Sequence, residues 1–255
     1  MIVIISPAKN INFDNNQEVP FSSEIRFPNE SEELLHELKK YTSSDISKLM
    51  KVSSKISQLN FERFQSMNFP FDSNETKSAL LVFNGAVFQS MNINTFSKSD
   101  LEYAQQKLRI LSGFYGLLRP LDGIMPYRLE MGTHLPVKLY KNLYSFWGDK
   151  LTTTLQNDID ENGDDILINL ASNEYFKAIN TKKINARIIT PEFKDFKNDK
   201  YKVISIYAKQ ARGMMSKFIL TNRIEKPDEL KLFNTAGYQY NDNMSTSDKW
   251  VFIRG

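Results

Sequence analysis

The chain opens on Ile2-Val3-Ile4-Ile5, closed by Ser6-Pro7. A strand that faced water on one side would alternate apolar and polar residues. This one is apolar at every position, so it must be covered on both faces. Pro7 ends it, because proline cannot donate to a sheet ladder. A central, doubly covered strand requires flanking helices, and that restricts the chain to an α/β architecture.

The pattern downstream agrees. Residues 10–28 read as a long loop rich in Asn and Pro. Asn29 can cap a helix whose apolar face is Leu34, Leu35, Leu38 and Tyr41. A second helix starts at Ser53 or Ser54, with Ile56, Leu59, Phe64 and Met67 on one side and Pro70 beyond its end. A third follows Ser97 through Leu101, Ala104, Leu108 and Leu111, with Gly113 as its stop. Asp165–Leu170 reads as a strand with Ser172 capping the next helix. Arg187–Phe196 and Lys202–Tyr207 read as a hairpin about Asn198-Asp199-Lys200. A helix spans about Lys209–Arg223, and Tyr238–Tyr240 with Trp250–Ile253 makes a final hairpin. The expectation is a mixed α/β (α+β) fold: one domain over residues 1–255, with a central mixed sheet and flanking helices.

Composition excludes several chemistries. Cysteine is absent, so disulfides, thiolate nucleophiles and cysteine-held metals are ruled out. His36 and His134 are the only histidines, too few for a histidine-rich metal centre. We expect no metal, no cofactor and no metal requirement for folding. No apolar run approaches the roughly 18 residues of a membrane span, and the start lacks a basic leader, so a soluble cytoplasmic protein is expected. The formal charge of +3 conceals an asymmetry: residues 166–226 carry 13 basic against 5 acidic side chains. Such a segment suits a polyanion, or is simply a solvated surface.

Four segments can carry chemistry. On the helix at 209–223, Lys209, Arg212, Lys217 and Arg223 fall in one sector and Ala211, Met214, Met215 and Phe218 in the opposite one. That is either a solvated face or the wall of an anionic groove. In Leu108–Pro120, Gly113 and Gly116 flank a turn between Arg109 and Arg119. Glycines there allow backbone N–H groups to approach a phosphate, or serve a tight packing turn. Pro126–Gly132 holds Arg128 and Glu130 in alternation with apolar residues, while the aromatic residues of 144–147 read as core rather than a base-stacking platform. Asp149 is a possible acid or base without an evident partner. Finally, Ser6–Lys9 and Asn169–Tyr175 each follow a buried strand. If those strands are parallel neighbours, both loops share the carboxyl edge where ligands collect in open α/β sheets. Lys9, Asn169, Ser172, Tyr175 and Lys177 then line one cleft, joined by Lys209, Arg212 and Lys217. A Ser–Lys nucleophile pair is conceivable there, but Ser172 is more simply a helix cap.

Ile4–Lys9, Leu111–Leu121, Pro126–Gly132, Phe146–Gly148, Asn169–Phe176 and Tyr207–Met215 together resemble the YaaA-type peroxide stress protein family, in order and across the chain. The resemblance implies a bacterial cytoplasmic protein that protects against hydrogen peroxide and limits damage from free intracellular iron. It also implies a single-domain fold with a positively charged cleft, a helix-hairpin-helix-like element and binding to DNA duplexes and junctions. It supplies no catalytic residues. The expected partner is DNA, contacted without base specificity by a monomer through Lys9, Arg109, Gly113, Gly116, Arg119, Arg128, Lys177, Lys209, Arg212 and Lys217. The competing expectation is an enzyme acting on a nucleic acid or nucleotide-like anion in the same cleft.

Overall fold

The structure, a computed structural model, describes residues 1–14, 19 and 22–255. Part of the loop expected over 10–28 therefore lies outside the described residues. Strand β1 (Ile2–Ile5) leads to helix α1 (Pro28–Leu38), which starts on Pro28 rather than after Asn29. Proline suits a first helical position because its missing N–H would be unpaired there anyway. Helices α2 (Ser43–Met50) and α3 (Ser54–Ser66) are joined by a short turn and pack against each other. Thr42 and Asp45 make a reciprocal capping box at the start of α2, and Lys51 closes it in the left-handed conformation. Next come β2 (Lys77–Ser78), α4 (Ala79–Val82), α5 (Ala86–Met91) and α6 (Lys98–Lys107).

Helix α6 ends earlier than its periodicity suggests. Leu108–Ser112 is strand β3, followed by β4 (Gly116–Leu118) and β5 (Gly123–Ile124). The spacing of Leu101, Ala104, Leu108 and Leu111 fits a helix, but all five residues of β3 are buried, as in a central strand. The paired glycines thus belong to a β-hairpin in which Ser112 faces Gly116. Helices α2 and α3 are a different pair, joined by the short turn of residues 51–53.

Helices α7 (Leu143–Trp147) and α8 (Lys150–Glu161) precede β6 (Ile166–Asn169) and the short α9 (Asn173–Phe176). Strand β7 (Arg187–Phe196) turns through Asn198 and Asp199, both at positive φ, into β8 (Tyr201–Lys202). Helix α10 (Ser205–Thr221) begins four residues before Lys209 and takes up half of the expected second strand of that hairpin. Strands β9 (Gln239–Tyr240) and β10 (Lys249–Arg254) pair antiparallel, as expected.

The main sheet has eight strands in the order β4-β3-β1-β6-β7-β10-β9, with β8 on β7. Strands β3, β1, β6, β7 and β10 are parallel; β4, β8 and β9 are antiparallel. Strand β1 lies between β3 and β6, and its four side chains are fully buried. This mixed α/β architecture with a central mixed sheet is the one its all-apolar sequence demands.

The β3–β4 hairpin is a core element. A Cβ on Gly116, where φ is +75°, would sit 2.8–2.9 Å from Trp147, Leu151 and Phe27. Trp147 donates its indole N–H to the Gly113 carbonyl at 3.0 Å, and the Ser31 hydroxyl donates to the Phe114 carbonyl at 3.1 Å. The 144–147 aromatics are core, with Phe146 and Trp147 buried. Below the hairpin, Asp158 on α8 accepts from both guanidinium ends of Arg26 at 2.6 and 2.8 Å and from Arg109 Nε at 2.6 Å. Arg109 is 3% exposed and also donates to the Gln105 and Leu108 carbonyls.

Candidate functional site

Because β1 and β6 are parallel neighbours, the loops after them leave the sheet at one edge. They meet directly: the Ser6 hydroxyl accepts from the Ser172 backbone N–H at 2.8 Å and donates to the Ser172 hydroxyl at 3.2 Å. Ser172 stands at the N-cap of α9 without a capping bond of its own, since its hydroxyl is turned to Ser6. Asn169 holds the loop turn by accepting from the Ala171 N–H at 3.1 Å.

Helix α10 crosses this edge. Its Gly213 lies so close to α5 that a Cβ would stand 2.0 Å from the Val87 carbonyl oxygen. That close approach holds Lys209 and Arg212 above the two loops. The result is a cleft of about 250 Å³, with Lys9, Ser172, Glu174, Tyr175, Lys209 and Arg212 in its wall. Of the residues expected to line one cleft, Lys9, Ser172, Tyr175, Lys209 and Arg212 do so, while Asn169, Lys177 and Lys217 lie outside its wall.

The electrostatics of the cleft are mixed. Lys9 pairs with Glu130 at 2.7 Å, and Arg128 reaches the other oxygen of Glu130 at 2.8 Å. The Nε of Arg128 is buried without a hydrogen-bond partner among the described residues. Glu174 accepts from the Gly132 N–H at 3.0 Å, which locks the 126–132 segment to α9. Burial, reinforced by the neighbouring Tyr127, pushes the Tyr175 hydroxyl well above the usual phenol range, so it remains a neutral donor. Arg212 differs from the other cations. Burial lowers its guanidinium from the ordinary value, and the charge of Glu192 only partly offsets this. Glu192 itself is engaged by Lys194 and Lys249, each at 3.0 Å. Among the described residues the Arg212 side chain makes no ion pair or hydrogen bond, and neither does the exposed Lys209.

Other candidates fall elsewhere. Arg109 is buried beneath the hairpin on Asp158, so its donors are consumed inside the fold. Gly113 and Gly116 are packed against Leu129 and Trp147, leaving no room for a phosphate at that turn. Arg119 gives Nε to Asp122 at 3.0 Å and a terminal nitrogen to the Glu24 carbonyl at 3.0 Å. Lys177 is exposed at the end of α9 and outside the cleft wall. Lys217, more than one helical turn beyond Arg212, donates to the Thr95 hydroxyl at 2.6 Å. Asp149 faces Lys183 and Asn180, whose hydrogen bonds hold its carboxyl below the usual range, and it has no place in the cleft. The free N–H groups of α10 lie at its true start near Ser205, not beside Lys209.

Two groups of residues in or beside the cleft wall were not legible as such. Glu130 and Glu174 sit inside recognisable motifs, but their pairing with Lys9 and Gly132 spans long sequence distances. Asn84–Phe88 form one side of the cleft, and the tight fit of Gly85 to Ala8, 2.9 Å for a Cβ, is the local reason for a glycine there.

A family model described as Peroxide stress protein YaaA matches residues 1–244. A UPF0246 protein of Teredinibacter turnerae is 46% identical over 254 residues, covering 100% of this chain and 99% of the relative. One from Cellvibrio japonicus is 46% identical, with coverages of 100% and 98%. A third, from Shewanella baltica, is 48% identical over 254 residues, with coverages of 100% and 99%.

Proposed function

Because the chain belongs to the peroxide stress protein YaaA family, we propose that it acts in peroxide stress on DNA, by holding backbone phosphate at the carboxyl-edge cleft. The observation that carries this reading is Arg212. Arg212 is half-buried in the cleft wall and its guanidinium has no hydrogen bond or ion pair among the described residues, so an anion entering the cleft meets an unspent charge in partly desolvated surroundings. A phosphate oxygen pair matches its planar fork. Lys209 stands one turn away with its ammonium free, and Lys9 lies across the cleft. A second basic surface surrounds the α2–α3 hairpin, where Lys48, Lys51 and Lys55 are exposed. Two such surfaces suit a bent or branched duplex. Covering DNA in this way keeps iron-driven oxidants from it, and the cytoplasm is where that work is done.

The test is a salt series of DNA affinity with purified protein, alongside peroxide survival of a deletion strain carrying each variant. Arg212→Ala and Lys209→Ala are expected to weaken duplexes of different sequence by a similar factor, each reducing the salt slope by about one unit. Lys217→Ala, already bonded to Thr95, is the control expected to change neither. Unchanged affinity and slope in a folded Arg212→Ala protein overturns the reading.

A second reading has one observation in its favour. A cleft of about 250 Å³ holds one small anionic group rather than a double helix. An enzyme acting on a nucleotide-like anion is consistent with that, and the neutral Tyr175 and the Lys9–Glu130 pair are the groups it would use. Mass analysis of oligonucleotides and nucleotides after incubation separates it from binding alone.

A further inference from the structure

The cleft does not stop at its cationic end. Asn84 and Phe88 line both it and a second hollow of about 270 Å³ beside α4 and α5. This second hollow has a different chemistry. Its floor is apolar, with Leu80, Phe83, Phe88 and Ile93 almost fully buried. Its rim is built from carboxamides: Asn12, Asn84, Gln89, Asn92 and Asn94. Among the described residues no Lys, Arg, Asp or Glu lines it, in a chain that is 25% charged.

The carboxamides are mostly unspent. Gln89 donates to the Asn84 side-chain oxygen at 2.8 Å, which orients both and leaves the Asn84 amide hydrogens and the Gln89 oxygen directed elsewhere. Asn12 uses its oxygen on the Asp14 N–H at 3.0 Å, leaving its amide hydrogens. The side chains of Asn92 and Asn94 make no hydrogen bond among the described residues. A neighbouring donor and acceptor on adjacent amides is the arrangement that pairs with the edge of a nucleobase, as Asn and Gln do with adenine. An apolar floor suits the face of the same ring.

We propose that the two hollows form one bipartite site for a nucleoside monophosphate unit. The phosphate lies on Arg212 and Lys209, and the unpaired base lies over Phe83 and Phe88 with its edge on Asn84 and Gln89. This rests on the phosphate-binding reading above and adds to it the base. Such a unit comes either as a free nucleotide or as one residue of a single strand. A paired base in a duplex cannot enter.

The experiment compares adenosine 5′-monophosphate with ribose 5-phosphate by calorimetry, and a single-stranded oligonucleotide with its abasic counterpart of equal charge. The base-containing partner of each pair is expected to bind at least about tenfold more tightly, the range of one two-point base contact. The exposed Gln89→Ala, which lines only the second hollow, is expected to erase that advantage while leaving ribose 5-phosphate and the salt slope unchanged. Arg212→Ala is expected to weaken all four ligands. An advantage in the monophosphate pair only identifies a free nucleotide as the source, and one in the oligonucleotide pair identifies a strand. Equal affinity within both pairs for the wild-type protein overturns the base site, even if salt-dependent DNA binding persists. Absence of binding to duplex and single strand alike overturns the DNA reading instead, and a preserved preference for adenosine 5′-monophosphate that Arg212→Ala weakens then sustains the bipartite site as one for a free nucleotide.

Discussion

Replacing Asp158 by Asn removes one negative charge from a site where two arginines converge. The side chains of Asp158 and Arg109 are 7% and 3% exposed, and that of Arg26 is 16%. Three charge-assisted hydrogen bonds, at 2.6, 2.8 and 2.6 Å, lose their ionic component. Each is worth about 1.5–3 kcal/mol when intact. Arg109 keeps the Gln105 and Leu108 carbonyls, and Arg26 keeps some water, so the loss falls short of the full sum. Breaking a buried pair by removing one partner costs about 3–5 kcal/mol, and we take about 4 for Asp158→Asn. At about 2 °C per kcal/mol for a chain of this size, the melting temperature falls by about 8 °C.

The pH dependence follows from the same contacts. Burial acts to raise the Asp158 carboxyl, but hydrogen bonds from Arg109 and Arg26 outweigh it and hold the group below its ordinary value. A carboxyl depressed in the folded state contributes stability above its unfolded pKa of about 4, and that contribution is lost as pH falls through the folded value. Urea unfolding at pH 7 and near pH 3 is the assay: the gap between wild type and variant is wide at pH 7 and narrows in acid. A melting shift under about 2 °C at pH 7, or a gap independent of pH, refutes the assignment of this network as a net support of the hairpin.

Gly116→Val meets both a positive φ and atoms at 2.8–2.9 Å, so thermal unfolding is expected to show a loss of about 3 kcal/mol or more, with DNA affinity changed only through unfolding. Gly213→Ala forces α10 away from the Val87 carbonyl; in whatever fraction stays folded, displaced Lys209 and Arg212 are expected to lower polyanion affinity, measured by the salt series. Glu130→Gln frees Lys9 and Arg128 from their shared carboxylate, so affinity for DNA at low salt is expected to rise and the salt slope to steepen by up to about one unit.

Four all-apolar residues, Ile2–Ile5, were enough to determine a central strand, because apolar side chains on both faces admit no other solvent arrangement. The shared edge of the 6–9 and 169–175 loops followed once β1 and β6 were parallel neighbours, and the basic stripe of α10 was readable from its phase. Leu108–Ser112 was not readable, since Leu108 and Leu111 satisfy a helical spacing while the pairing with β1 that makes them a strand lies about a hundred residues away. Nor could charge counting tell Arg109 from Arg212. Both are arginines among apolar neighbours; one finds Asp158 on a distant helix, and the other faces a cleft without a partner among the described residues. Lys217 shares a helix face with Arg212 and yet spends its ammonium on Thr95. The sequence lists the cations, but desolvation and ion pairing depend on which long-range neighbours folding brings within about 4 Å, and only the tertiary structure decides that.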